Sequence, residues 1–315
     1  MHEGAWRQRR PLLPVPREVD AAVTERARTP LTYYGGKQRM APQIVEIMPP
    51  HRVYLEPFCG GAAVLFRKPP AERETINDLD GAVTTFWRVV RDQPEELARL
   101  LELTPYGRDE FVACRDSLDE EGVGDLELAR RLLVTIDQSY SRTGDTWSPP
   151  SLRSDRRGRW QAGTWQNKPP IIVAAAERLA GVSIENTDAI PMLARWDVPE
   201  CLIYCDPPYT GSHRLNNENR RGYRFDNHPE LWAELVDALL DLQDAHAILS
   251  GYPCEEAERL ERAGWTRLER PQRRMSRVSR GQNGGQAPET LWLNYAPELV
   301  AEGDEEGETL QGALL

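Results

Sequence analysis

The sequence predicts an α/β protein built on an open, mostly parallel sheet, with a mainly helical subdomain inserted into it. Strand-like runs alternate with helix-like runs, which is the pattern of βαβ units. Three of the strand-like runs stop at a polar or acidic residue where a turn begins. Between about Thr85 and Lys168 the alternation gives way to helical segments and a Gly-, Ser- and Trp-rich stretch.

The elements follow in order. "RVYLEPF" (Arg52 to Phe58) reads as a strand that turns at Cys59-Gly60-Gly61 into the helical-looking "AAVLFRK". "ETINDLD" (Glu74 to Asp80) leads into "GAVTTFWRVVRD", whose apolar spacing suits a helix. "PEELARLLEL", "RDEFVACRDSL" and "DLELARRLLVTIDQSYS" read as helices, and "GDTWSPPSLRSDRRGRWQAGTWQNKPP" as a hairpin or long loop. "VSIENTDAIPMLARWD" is a short strand and a short helix. "CLIYCDPPY" is apolar until it stops at Asp206, which marks a buried strand of a parallel sheet. "AHAILSG", the helix-like "CEEAERLERAG" and "ETLWLNYA" continue the alternation. The expected layout is an N-terminal arm over 1–30, a core over 31–84 and 169–297, an insertion over 85–168 and an acidic tail over 298–315.

Composition narrows the classes. The 315 residues, 40% hydrophobic with nine tryptophans, can fill one large core. No apolar run approaches a membrane span, and the arginine-bearing N-terminus has no apolar segment of a secretory signal. Cys59, Cys114, Cys201, Cys205 and Cys254 form no CxxC pair, and no histidines stand at metal-ligand spacing, so the expectation is reduced thiols, no metal and a cytosolic protein. The net charge of −11 excludes an evenly basic nucleic-acid binder. Basic residues nevertheless cluster. Ser151 to Lys168 holds five against one acid, and Thr266 to Arg280 holds six against one. Either run suits a localised anionic ligand or is a solvated face.

Candidate site residues lie where strands end, since open α/β sheets bind ligands beyond the carboxyl ends of their strands. Glu56, Asp78 and Asp206 all stand there. Gly60 lets the backbone approach a ligand that a Cβ would block. Asp78, eighteen residues further on, is placed to accept from ribose hydroxyls; its competing role is a cap for the helix "GAVTTFW". In "DPPY", each proline fixes its φ and removes an N–H. Asp206 and the Pro207 carbonyl can then act as two adjacent acceptors for one amino group, Pro208 stiffens the corner, and Tyr209 offers a stacking face. "YPCEE" contains a Pro-Cys pair, but Cys254 opens a helix-like segment, and no nucleophilic role is assigned to it.

Taken together and in order, "YYGGK", "LEPFCGGAAVLF", "INDLD", "ENTDAI" and "YCDPPY" resemble the motifs of the D12 class of DNA adenine-N6 methyltransferases, the family of the Dam enzymes. The resemblance runs from about Leu31 to Tyr295. It implies a Rossmann-like class I methyltransferase sheet with an inserted target-recognition subdomain, S-adenosyl-L-methionine as methyl donor, and adenine in double-stranded DNA as acceptor. Carried over residue by residue, Tyr33 and Lys37 would hold the methionine end of the cofactor, and Glu56, Phe58 and Gly60 would shape its pocket. Asp78 would take the ribose and Asp188 would face the cofactor's adenine. Asp206, Pro207, Pro208 and Tyr209 would clamp the target base, with Asp206 bordering the cofactor as well.

In the insertion, Arg153, Arg156, Arg157, Arg159 and Trp160, with Trp147 and Trp165, suit phosphates and base edges, although the tryptophans can equally be core. The run Arg267 to Arg280 could embrace the duplex from the other side. The same chemistry on cytosine N4 or on RNA adenine, and an inactive DNA-binding relative, remain open at this stage. So does a restriction endonuclease partner. The expected setting is the prokaryotic or phage-infected cytoplasm, with the nucleoid.

Overall fold

In the computed structural model, which describes residues 28–32, 36–149, 161–208, 230–270 and 289–297, the expected sheet forms. Its strands are β1 (Val53–Glu56), β2 (Arg73–Asn77), β3 (Val182–Glu185), β4 (Cys201–Cys205), β5 (His246–Gly251), β6 (Thr266–Arg270) and β7 (Glu289–Leu293). The order is β3-β2-β1-β4-β5-β7-β6. β1 to β5 run parallel, and β7 alone is antiparallel to both its neighbours. This is the Rossmann-like class I methyltransferase sheet. Leaving β1, the chain moves outward to β3 and then returns to lay β4 on β1's other side. That reversal opens a crevice between the carboxyl ends of β1 and β4.

β4 explains why the sheet is covered on both faces. All five of its residues are buried. Leu202 and Tyr204 join the cluster on one face, while Cys201, Ile203 and Cys205 join the cluster on the other. Such a two-sided strand reads as a continuous apolar run rather than an alternation.

The helices are α1 (Ala41–Glu46), α2 (Gly81–Asp92), α3 (Pro94–Leu103), α4 (Arg108–Asp116), α5 (Asp125–Asp137), α6 (Gln161–Gln166), α7 (Lys168–Leu179), α8 (Ala189–Arg195), α9 (Leu231–Leu240) and α10 (Glu255–Arg262). α2 begins where the Asp80 carboxylate accepts the Ala82 N–H, and buries Val83, Phe86, Trp87 and Val90. Leu97 and Leu101 of α3, Leu132 and Leu133 of α5 and Ile172 of α7 lie in the same cluster as Tyr54 and Ile76 of the sheet. The insertion therefore shares the core of one sheet face. α2 runs unbroken through the expected boundary at residues 84 and 85. α8, α9 and α10 cover the other face with Leu193, Trp232, Leu235 and Leu260.

Three local expectations change. "AAVLFRK" is a series of turns, not a helix. The buried Glu56 carboxylate takes the Leu65 N–H that a helix would give to a carbonyl. The expected loop before α7 contains helix α6, and at its start Ser139 pairs with Trp147 across a tight antiparallel bridge. The basic run from Thr266 opens as strand β6, because β7 offers it a partner along its whole length.

A buried ion cluster ties α7, the helix that follows the insertion, to the sheet. Glu74 of β2 accepts from Lys68 at 2.6 Å and, through both oxygens, from the Arg178 guanidinium of α7, which also donates to the Leu65 carbonyl at 3.0 Å. Burial pushes the Glu74 carboxyl up, but its hydrogen bonds to Arg178 and Lys68 hold it below the usual carboxylate range. Removing one member of a buried ion pair strands the other charges. Glu74→Gln is therefore expected to lower stability by about 3–5 kcal/mol in urea unfolding. Glu72→Gln, which breaks the exposed pair with Arg52, should leave the midpoint nearly where it was.

Candidate active site

The turn after β1 is held in shape by contacts from four elements. Gly60 sits at φ 43°, where a glycine is at ease. Ala62 sits at φ 48°, fully buried, at a cost of about 1–2 kcal/mol for a residue with a Cβ. The Gly60 N–H donates to Asp78 Oδ2 at 2.9 Å and the Gly60 carbonyl accepts from Trp87 Nε1 at 2.9 Å. Thr29 Oγ1 donates to the Gly61 carbonyl at 2.5 Å. Asn77, fully buried, links three strand ends. Its Nδ2 donates to the carbonyls of Pro57 and Thr187 at 2.9 and 3.0 Å, and its Oδ1 accepts the Thr187 N–H.

Asp78 therefore does not cap α2; Asp80 does. Asp78 accepts the Gly60 and Asp80 N–H groups, one on each oxygen. Burial pushes its carboxyl up to about 6, against the pull of those two bonds. A carboxylate has about four acceptor positions, so capacity remains at this strand end.

Glu56 ends β1 and is buried. Its Oε2 accepts from the Tyr54 hydroxyl at 2.9 Å and from the Leu65 N–H at 3.2 Å. Burial pushes its carboxyl up to about 8, and the nearby charge of Asp206 adds to the rise. Phe58 packs at the edge of the cluster that holds β4 and α9.

Asp206 follows β4 directly, and its side chain keeps 19% exposure. Lys37, in the turn before α1, brings its Nζ within 2.7 Å of Asp206 Oδ1 and 2.9 Å of Glu289 Oε1, the first residue of β7. Burial opposes the lysine's charge, but Asp206, together with Tyr204 and Glu289, holds it well above the usual lysine range. One cation thus joins the motif before α1, the corner after β4 and the start of β7. Pro207 is buried, and the Pro208 carbonyl accepts from Trp232 Nε1 at 2.9 Å.

The other expected residues divide. Asp188 is exposed and caps α8 through the Ile190 N–H. Tyr33, Tyr209, Arg153, Arg156, Arg157, Arg159 and Trp160 lie outside the described residues. Trp165 is core, with its Nε1 on the Thr104 carbonyl. Trp147 is half-buried, with the Arg108 guanidinium 5.0 Å from its ring. Arg267 is engaged by Glu261 and Glu269, so the first member of the second basic run serves its own surface. Burial raises the Cys254 thiol to about 11. Among the described residues there is no group of His, Cys, Asp and Glu that could hold a metal ion, and no helix is long and apolar enough to cross a membrane.

Sequence reasoning missed Glu289, Asn77 and Trp232. Glu289 left a trace, an acid opening the apolar run "ETLWL", but its partner Lys37 is 252 residues away in number and nothing local connects them.

Comparison with known proteins supplies the family. The D12 class N6 adenine-specific DNA methyltransferase family matches residues 33–240. A type II methyltransferase, M1.LlaDCHI of Lactococcus lactis subsp. cremoris, is 32% identical over 115 residues, which are 34% of this chain and 39% of the relative. The DNA N-6-adenine-methyltransferase of Escherichia phage P1 is 23% identical over 225 residues, 67% of this chain and 28% of the relative. The chain thus spans about a third of the length of these curated relatives. The solved rRNA methyltransferase aviRa of Streptomyces viridochromogenes aligns over 88% of this chain and 92% of its own at 12% identity, with a TM-score of 0.31, too low to add to the sheet topology above. With its motifs at the ends of β1, β2 and β4 and two thirds of its length matched, the chain belongs to the D12 class N6 adenine-specific DNA methyltransferase family.

Proposed function

We propose that the protein transfers a methyl group from S-adenosylmethionine to N6 of an adenine flipped out of double-stranded DNA. The observation that carries the reading is Asp206, clamped by Lys37 at the end of β4 and close enough to Glu56 for its charge to raise that carboxyl. An amino-group acceptor and an acid suited to a cationic cofactor thus flank the same crevice.

The donor set fits the cofactor. Glu56 is an acid kept from ionising by burial, and an approaching cation such as an ammonium or sulfonium would restore its charge. Asp78 is fixed by two backbone N–H groups and retains acceptor capacity for a pair of hydroxyls. Gly60 keeps a Cβ away from the turn between them. When bound, the cofactor supplies an electrophilic methyl group on sulfur.

The chain's part in the chemistry is alignment and acceptance of hydrogen bonds. The lone pair of an adenine amino group is delocalised into the ring and is a poor nucleophile. Asp206 and the Pro207 carbonyl, each accepting one N–H, would favour a tetrahedral nitrogen and return that lone pair to it. The same oxygens stabilise the positive charge that develops on nitrogen, and being fixed beforehand they need not reorganise. Lys37 holds one Asp206 oxygen in place. Holding nitrogen, methyl and sulfur in line supplies the rest. Flipping the base costs a few kcal/mol; stacking on Tyr209 would offset about 1–3 kcal/mol of it.

Tritium transfer from labelled S-adenosylmethionine to duplex DNA tests the assignment. Asp206→Ala should lower transfer by roughly 100-fold or more, and equal labelling by the two proteins would refute the role of Asp206. Digestion of the product to nucleosides should yield N6-methyladenine; label on N4-methylcytosine, or preference for an RNA substrate, would replace the substrate named here.

Glu56 should also leave a mark on stability. Its carboxyl rises from 4.5 to about 8 on folding. A group so raised contributes stability that is complete below its unfolded value and is lost as pH rises through its folded value. Glu56→Gln is free of this loss. The melting temperature of the variant, relative to wild type without cofactor, should therefore gain more at about pH 8.5 than at about pH 5, while cofactor affinity falls. A difference in melting temperature that does not change with pH would reject the raised carboxyl. If the arginines around Arg156 grip phosphates, the DNA dissociation constant should climb steeply with salt, and a shallow slope would remove them from the interface.

A further inference from the structure

The corner after β4 is held from behind by a residue that none of the motifs contains. Trp232, in the first turn of α9, is 2% exposed, and its Nε1 donates to the Pro208 carbonyl at 2.9 Å. The far edge of the same indole lies against Gly251, the last residue of β5. A Cβ at Gly251 would meet Trp232 Cη2 at 2.3 Å and Cζ2 at 3.1 Å. The indole therefore fits only because residue 251 has no side chain, and its N–H reaches the corner only because it fits there.

The geometry of two consecutive prolines makes this contact matter. Pro207 and Pro208 have no N–H, so the corner cannot anchor itself by donating to the sheet. Its peptide planes can be fixed only through their carbonyls. Two dihedrals of Pro208 separate the Pro207 carbonyl from the Pro208 carbonyl, and the ring locks one of them, φ. With the second carbonyl held by Trp232, the first keeps a single soft rotation.

We propose that Trp232, seated against Gly251, is a positioning residue for the amino-group acceptors: it sets the direction of the Pro207 carbonyl by holding the carbonyl that follows it. The inference rests on the reading of Asp206 and Pro207 given under Proposed function. It adds a positioning contact from the helix after the corner, and it makes Gly251 part of the same device.

Two single variants and their combination test it. Trp232→Phe keeps an aromatic ring, smaller than the indole, and removes the donor. Gly251→Ala keeps the donor and pushes the indole away. Each should lower kcat for DNA methylation about tenfold, the order expected for one misdirected hydrogen bond, while KM for S-adenosylmethionine stays within about twofold. The double variant should lose little more than either single one, because both act through the same N–H. A merely structural role would move cofactor KM, melting temperature and kcat together, and that outcome overturns the proposal. So do a kcat within about twofold of wild type for Trp232→Phe, or losses that multiply in the double variant. Should the wild-type protein transfer no methyl group to DNA, the functional reading fails first, and crystal structures then decide this one. Pro207 and Pro208 displaced in Trp232→Phe sustain the positioning role, and a superimposable corner rejects it.

Discussion

A single buried ammonium organises this molecule's crevice. Lys37 stands between the carboxylates of Asp206 and Glu289, and these three residues come from the segment before α1, the end of β4 and the start of β7. Burying such a charge is tolerable only when it is paired and hydrogen-bonded. Once it is paired, moving any of the three elements exposes an uncompensated charge in a poorly solvated place. The corner that presents Asp206 is thus locked to parts of the chain far from it in number. On the proposed reading, that lock keeps an acceptor oxygen in position before a base arrives.

A second fixed point, at Glu74, complements it. Lys68 belongs to the segment after the turn at Gly60, and Arg178 belongs to α7, the helix that follows the insertion. Their meeting on one carboxylate, with Arg178 also on the Leu65 carbonyl, joins the helix that leads out of the insertion to the segment after the turn that holds Gly60. The helix that returns from the subdomain expected to read DNA and the turn expected to receive the cofactor are therefore mechanically continuous. Asn77 completes the frame by linking the ends of β1, β2 and β3 through one amide. Ala62 can be held at a positive φ because so many surrounding contacts fix the turn.

Polar groups at the crevice show how one fold can keep carboxylates in different states. Glu56 is pushed up to about 8 and Asp78 to about 6, both mainly by burial. The Glu74 carboxyl, also buried but facing two cations, goes the other way. The difference lies in the partners supplied: hydroxyl and amide donors around the first two, ammonium and guanidinium around the third. Acids of the first kind are suited to receiving a cation or hydroxyls from outside, whereas the third is already satisfied by the chain.

Much of this was legible in the residues themselves. β4 announces itself because an apolar run ended by Asp206 and two prolines obeys local rules of burial and backbone geometry. The turn at Gly60 and the acids at three strand ends follow from the same rules, as does the helical run of the insertion. Tertiary structure decided the rest. "AAVLFRK" has helical spacing, yet it coils into turns because the Glu56 carboxylate, nine residues before Leu65, claims an amide that the helix needed. Asp80, not Asp78, caps α2, since the fold spends Asp78 on Gly60. Lys37 and Glu289, or Trp232 and Gly251, cannot be paired from sequence, because neither member carries a local pattern that names the other. Periodicity and turn chemistry are properties of neighbours along the chain. Charge pairing and steric fit across the crevice exist only after folding has brought distant residues together.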